Sequence, residues 1–131
     1  MKFSPLARLK SIVYALNGLA FMLRTQHNAW LHLAATVVVI ALGLYLKIQP
    51  DDWRWLVIAI VMVWMAEAFN TAVEYVCDVV SPGYAEAVRR AKDIAAGAVL
   101  VCAIGAAVIG VITFWPYAAQ VLGAPPVPIH L

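Results

Sequence analysis

Two carboxylates, an amide and a hydroxyl stand in register near the middle of the chain. At 100° per residue, Glu67, Asn70, Thr71 and Glu74, with Asp78 one turn further on, fall within roughly a third of a helix circumference. They follow Trp55 to Ala66, an apolar run without a charge. A charge in hydrocarbon costs at least about 2.5–3.5 kcal/mol on insertion scales, so this stripe is the lead candidate for function. The competing interpretation is a polar seam that holds helices together by hydrogen bonds. Past a turn, Lys92 and Asp93 add a cation and another carboxylate. Carboxylates hold Mg²⁺ through hard oxygen ligands, commonly together with phosphate oxygens. A lysine neutralises charge that develops on phosphate, and a further carboxylate can take the proton of a hydroxyl. Phosphoryl transfer needs little beyond these parts held in position. There is no GxxxxGK[ST] loop to cradle a nucleotide, so a nucleotide would bind at the membrane surface.

The elements that must position these residues are helices in a membrane. The chain has 131 residues, 65% of them hydrophobic and 12% charged, and no soluble globule of this size could bury so much apolar surface. A single all-α domain, residues 1–131, is expected. A net charge of +2 is too small to suggest nucleic acid. Residues 5–26 repeat Leu6, Leu9, Ile12, Val13, Leu16, Leu19 and Leu23 at helical spacing, with Lys10, Asn17 and Arg24 on another face, and Pro5 suits a first turn. That stretch reads as too polar to span and is expected to lie in the interface plane. Three spans follow, at 29–46, 53–79 and 94–115.

His32, near the start of the first span, is read as an interfacial hydrogen bonder. Asp51 or Asp52 is a candidate cap for the second span, and Trp53 and Trp55 suit the aromatic belt. Ser81-Pro82-Gly83-Tyr84 has the residue order of a type II turn. Glu86 to Lys92 is a short charged segment ahead of the third span. Small residues such as Gly97, Gly105 and Gly110 are expected to let backbones approach, and Pro116 to end or kink that helix. Residues 123–131, with three prolines, are expected to form a flexible tail. Cys77 and Cys102 lie in apolar pattern without a CxxC and read as packing residues. The basic start has no cleavable apolar region after it, so the apolar segments are expected to be retained. Lys2, Arg8, Lys10, Arg24, Arg89, Arg90 and Lys92 would share one side, with Lys47 and Arg54 on the other. This predicts a cytoplasmic amino terminus and places the acidic stripe at the cytoplasmic interface.

Glu67-Ala-Phe-Asn-Thr-Ala-Val-Glu74, then Asp78, then Ala91-Lys92-Asp93-Ile94-Ala95-Ala96-Gly97-Ala98-Val99-Leu100 resemble the bacterial integral-membrane diacylglycerol kinase and undecaprenol kinase family. Tyr14-Ala-Leu-Asn-Gly18 also matches, and the resemblance runs from Leu9 to Trp115. It implies a homotrimer in the bacterial inner membrane, with an interfacial helix and three transmembrane helices per subunit. It also implies sites between subunits, with MgATP as phosphoryl donor and a membrane lipid alcohol as acceptor. Carried over by motif, Glu67 resembles the base acting on the lipid hydroxyl and Glu74 the metal-binding carboxylate. Asn70 resembles a site amide, Lys92 and Asp93 resemble nucleotide contacts, and Tyr14 resembles a residue lining the same site. Gly83 and Tyr84 match a loop that closes over the nucleotide. One departure stands out: where the family usually has a metal-site glutamate before the first span, this chain has Gln26, which offers a carbonyl oxygen but no charge.

The wording around Asn70 to Glu74 and Ala95 to Leu100 leans toward undecaprenol over diacylglycerol. Two other classes compete. In a small proton-coupled transporter Glu67 would bind a cation, but such proteins place a lone carboxylate near the midplane of four spans. An inactive homologue kept as a membrane scaffold is motivated by Gln26.

Overall fold

The computed structural model describes residues 4–123. Four helices follow one another: α1 (Pro5–Thr25), α2 (His27–Leu46), α3 (Pro50–Val80) and α4 (Glu86–Val121). Among the described residues there is no strand. Residues 124–131 of the expected tail lie outside this range.

Each joint has a local cause. Ser4 caps α1 by accepting from the Ala7 amide, and Pro5 occupies the first turn, where its missing N–H costs nothing. α1 stops because Gln26 is extended, its N–H still bonded to the Met22 carbonyl at 2.8 Å. α2 begins at the next residue, so Gln26 is the hinge between the two helices. α2 ends in a left-handed residue, Lys47, with φ 52°, and the Ile48 amide returns to the Gly43 carbonyl. Gly43 is required here by close approach: a Cβ would stand 2.8 Å from the Trp53 ring. The expected cap at Asp51 or Asp52 is not formed. Gln49 sits at the N-cap without a side-chain bond, and Asp52 instead accepts from the Tyr117 hydroxyl of α4.

Three further expectations are corrected. The charged segment 86–92 is not separate from the third span but forms the first turns of one continuous helix, α4, of 36 residues. Pro116 does not end that helix, which runs on to Val121. The next residue explains this: Tyr117 accepts from the Gln49 amide at 2.9 Å and donates to Asp52, tying the last turns of α4 to the α2–α3 hairpin. Ser81 to Tyr84 is not a type II turn, because Gly83 does not have the positive φ that turn needs. Ser81 Oγ reaches the Gly83 carbonyl instead.

Packing is chiefly α3 against α4, with α2 alongside. α3 buries one stripe, Leu56, Ala59, Val63, Glu67, Asn70 and Thr71, at the three- and four-residue spacing of a single helix face. Gly97, Gly105 and Gly110 would each accept a Cβ with nothing within 4 Å, so they mediate no close approach inside one chain. α1 is exposed along most of its length and touches the bundle near its end, where Met22 is buried and the Phe21 ring packs on Tyr75 of α3 at 5.2 Å. All four helices, α1 included, are long and apolar enough to cross a membrane by length and composition. The judgement that α1 is too polar to span does not hold on that criterion. The protein is an all-helical membrane protein.

Candidate active site

α3 carries the centre of the site because its buried stripe changes character without changing face. Leu56, Ala59 and Val63 pack as apolar core, and one turn on the same face presents Glu67, then Asn70 and Thr71. Glu67 is 1% exposed and Asn70 5%. Neither carboxylate oxygen of Glu67 has a hydrogen-bond partner, nor do Asn70 Oδ1 and Thr71 Oγ1. Buried polar atoms are nearly always paired, and one left unpaired calls for an explanation such as a catalytic role or a bound water or ion. Asn70 does engage on one side: its Nδ2 donates to Glu74 Oε1 at 3.3 Å.

α2 supplies the opposite wall. The indole N–H of Trp64 donates to Thr36 Oγ1 at 3.0 Å, and Thr36 in turn donates to the His32 carbonyl. This fixes the register of two antiparallel helices. Stepping three residues up α3 from Trp64 and four back along α2 from Thr36 brings Glu67 to His32. His32 Nε2 lies 3.7 Å from Glu67 Oε2, and it too is buried without a hydrogen-bond partner. The sequence reading of His32 as an interfacial hydrogen bonder missed this pairing.

Two cavities meet here. A small one of about 220 Å³ is lined by Asn28, His32, Glu67, Asn70 and the α4 residues Ala96, Val99 and Ala103. A larger one of about 450 Å³ runs down the apolar part of the bundle between Val38, Val39, Leu56, Ile60, Val63 and Phe114. His32 and Ala103 line both cavities. A long apolar chain in the larger cavity can therefore bring a polar head to Glu67.

The remaining sequence candidates gather nearer the α3–α4 turn. Lys92 donates to Asp78 Oδ1 across that turn, and this carboxylate raises the lysine's affinity for its proton. Asp93 accepts from Arg89 at 2.8 Å. Arg89 also grips Glu86 in a fork of 2.7 and 3.1 Å, and Arg90 and the Tyr84 hydroxyl donate to the same carboxylate. Arg89, then Tyr84 and Arg90, hold the Glu86 carboxyl at about 2, well below its ordinary range. This charged turn precedes the apolar part of α4.

One chain thus brings together Glu67, Asn70 and Glu74, with Asn28 and His32 of α2. It does not bring Tyr14, Gly83 or Tyr84 into that group. Tyr14 is 70% exposed and lies two helical turns before the Phe21 contact, about 10 Å along α1. Gly83 and Tyr84 are exposed in the α3–α4 connection. Gln26, the hinge between α1 and α2, makes no capping bond to α2 with its side chain and stands two residues before Asn28. Among the described residues no group of three or more His, Cys, Asp or Glu side chains could enclose a metal ion.

The family described as prokaryotic diacylglycerol kinase matches residues 13–114. An undecaprenol kinase of Bacillus subtilis is 33% identical over 107 residues, covering 82% of this chain and 87% of that protein. A diacylglycerol kinase of Synechocystis sp. is 37% identical over 103 residues, covering 78% of this chain but only 59% of its own length. These relatives favour neither the transporter nor the scaffold alternative. The matched region includes every residue that lines the small cavity, and the chain belongs to the prokaryotic diacylglycerol kinase family: it is a lipid kinase of that type.

Proposed function

We propose that the protein transfers the γ-phosphoryl group of ATP to the hydroxyl of a long-chain membrane lipid at the cytoplasmic interface, with Glu67 as the base. The observation that carries this is the buried, unpaired Glu67 carboxylate in a small cavity that shares His32 and Ala103 with a larger apolar one. The lipid's chain occupies the apolar cavity and its hydroxyl meets Glu67. As the lipid oxygen bonds to phosphorus and the bond to ADP breaks, the hydroxyl proton passes to the Glu67 carboxylate. Undecaprenol is the preferred acceptor, because the relative named for it matches over most of its length. Diacylglycerol is the alternative, by the same argument from the second relative.

ATP is taken as its magnesium complex. The donor set fits this ion in part: Glu74 offers carboxylate oxygen, Asn70 Oδ1 is buried and unpaired, and Gln26 at the hinge offers a carbonyl. All three are hard oxygen donors, and Mg²⁺ commonly takes only one or two carboxylates beside phosphate and water. When bound it neutralises charge on the phosphates. Lys92 and Asp93 contact the nucleotide, which requires them to leave Asp78 and Arg89, and Gly83 and Tyr84 close over it.

In this assignment α1 lies in the interface and α2, α3 and α4 span. The charge distribution supports this: a spanning α1 would carry Lys2, Arg8 and Lys10 to the side opposite Arg24, Arg89, Arg90 and Lys92, against the positive-inside tendency. The subunits form a homotrimer in the bacterial inner membrane, in which Tyr14, remote from Glu67 in its own chain, reaches a neighbour's site. Purified protein in detergent, given radiolabelled ATP, Mg²⁺ and each lipid in turn, is expected to label undecaprenol. Label in diacylglycerol alone would reverse the substrate preference, and label in neither lipid would overturn the proposal. Native mass spectrometry of the active preparation is expected to show trimers, and monomers alone would refute that assembly.

A further inference from the structure

We infer that His32 is a positioning residue, which holds the Glu67 carboxylate toward the lipid hydroxyl where the two cavities share a wall. The inference rests on Glu67 being the base. Among the described residues, His32 is the one polar side chain that lines both cavities. Its Nε2 is buried and unpaired and stands 3.7 Å from a carboxylate oxygen that is equally buried and unpaired. That separation is longer than a hydrogen bond, and catalytic contacts of this kind often tighten only when substrate is in place. A bond from the imidazole N–H would occupy one Glu67 oxygen and leave the other for the lipid proton, which fixes the rotation of a side chain that nothing else in its own helix holds. The Thr36–Trp64 bond one turn away sets the height of His32 against Glu67, so the pair is built by the register of α2 on α3 rather than by a chance rotamer.

His32→Gln keeps an N–H donor at similar length, whereas His32→Leu keeps the bulk and removes the donor. Turnover with a saturating lipid alcohol is expected to fall about tenfold or more in His32→Leu and to recover largely in His32→Gln, with KM for ATP unchanged in both. A filler of space would make the two variants alike. A cycle with Glu67→Gln completes the test: once Glu67 is lost, His32→Leu should add little further loss, because the two act as one unit. Thermal unfolding of each variant checks that it is folded. Equal turnover of the Gln and Leu variants, or fully additive losses in the cycle, overturns the role of His32 while leaving Glu67 as base. Near-normal turnover of Glu67→Gln removes the base itself, and the positioning role with it.

Discussion

Glu67→Met separates a catalytic carboxylate from a structural one because the two roles predict opposite signs. The carboxylate is 1% exposed and neither oxygen accepts a hydrogen bond. A buried polar group without a partner costs about 1–3 kcal/mol, and more when charged. Methionine is similarly long and flexible and fills the same space without a polar atom. The change strands His32 Nε2, but that atom already lacks a hydrogen bond and gives up only a partner 3.7 Å away. The variant is therefore expected to be more stable than the parent by about 1–3 kcal/mol, read as a raised midpoint of thermal unfolding in detergent. Turnover should fall by about 10²-fold or more, the scale of losing a general base, which is about 3 kcal/mol or more of transition-state stabilisation. Nucleotide affinity should be nearly unchanged. A structural role gives the reverse, a variant that unfolds earlier or fails to assemble while each assembled molecule keeps near-normal turnover. That result would refute the argument from the unpaired oxygens.

Other residues give sharper tests of particular parts. Glu74→Gln is expected to abolish turnover at millimolar Mg²⁺, whereas Gln26→Glu should lower the Mg²⁺ concentration needed for half-maximal rate; unchanged Mg²⁺ dependence in both would remove these residues from the metal site. Ala103→Leu narrows the passage that Ala103 shares with His32, so KM for lipid should rise several-fold with KM for ATP unchanged, and an unaltered KM for lipid would place the chain elsewhere. Gly43→Ala sets a methyl 2.8 Å from the Trp53 ring and should destabilise the α2–α3 hairpin by about 1–3 kcal/mol in thermal unfolding, the usual cost of overpacking. Glu86 has its folded pKa depressed from 4.5 to about 2, so the contribution of its ion pairs is complete above about pH 4.5 and is lost as pH falls through about 2. Carbon-detected NMR should find the carboxylate still ionised at pH 4, and its titration should move up toward 4.5 in Arg89→Gln, where Tyr84 and Arg90 still donate to it; titration near 4.5 in the parent would contradict the network.

Helix positions, and the face on which Glu67, Asn70, Thr71 and Glu74 sit, are legible in the sequence because a period of 3.6 acts on every residue of a long apolar segment. The burial of that face follows from the cost of charge in hydrocarbon. What escapes sequence reading depends on contacts between segments. His32 looks like any histidine near a helix start until the left-handed Lys47 and the Thr36–Trp64 bond fix how α2 lies on α3. Pro116 carries a strong local signal for a helix end, overridden by Tyr117 reaching Asp52 and Gln49, more than sixty residues earlier in the chain. The glycines of α4 promise close packing, but the close contact falls on Gly43, whose neighbour Trp53 lies across a turn.

The position of the site follows from how α3 is shared between two tasks. One helix face serves as apolar core up to Val63 and carries the proposed catalytic side chains from Glu67 onward, so the rigidity that packing gives the first half is passed directly to the second. α4 lines the small cavity beside Glu67 and Asn70 with Ala96 and Ala103 as well as Val99 and Leu100, and the two alanines leave part of that space open. Burial inside one chain also bears on what the neighbouring subunits of the proposed trimer are for. Glu67, Asn70 and Thr71 are already buried within one chain, so shielding these three side chains gives no reason to assemble. In the proposed trimer the reason that remains is supply: Tyr14 is exposed and stands apart from Glu67 in its own chain, and a second copy is where it can be used.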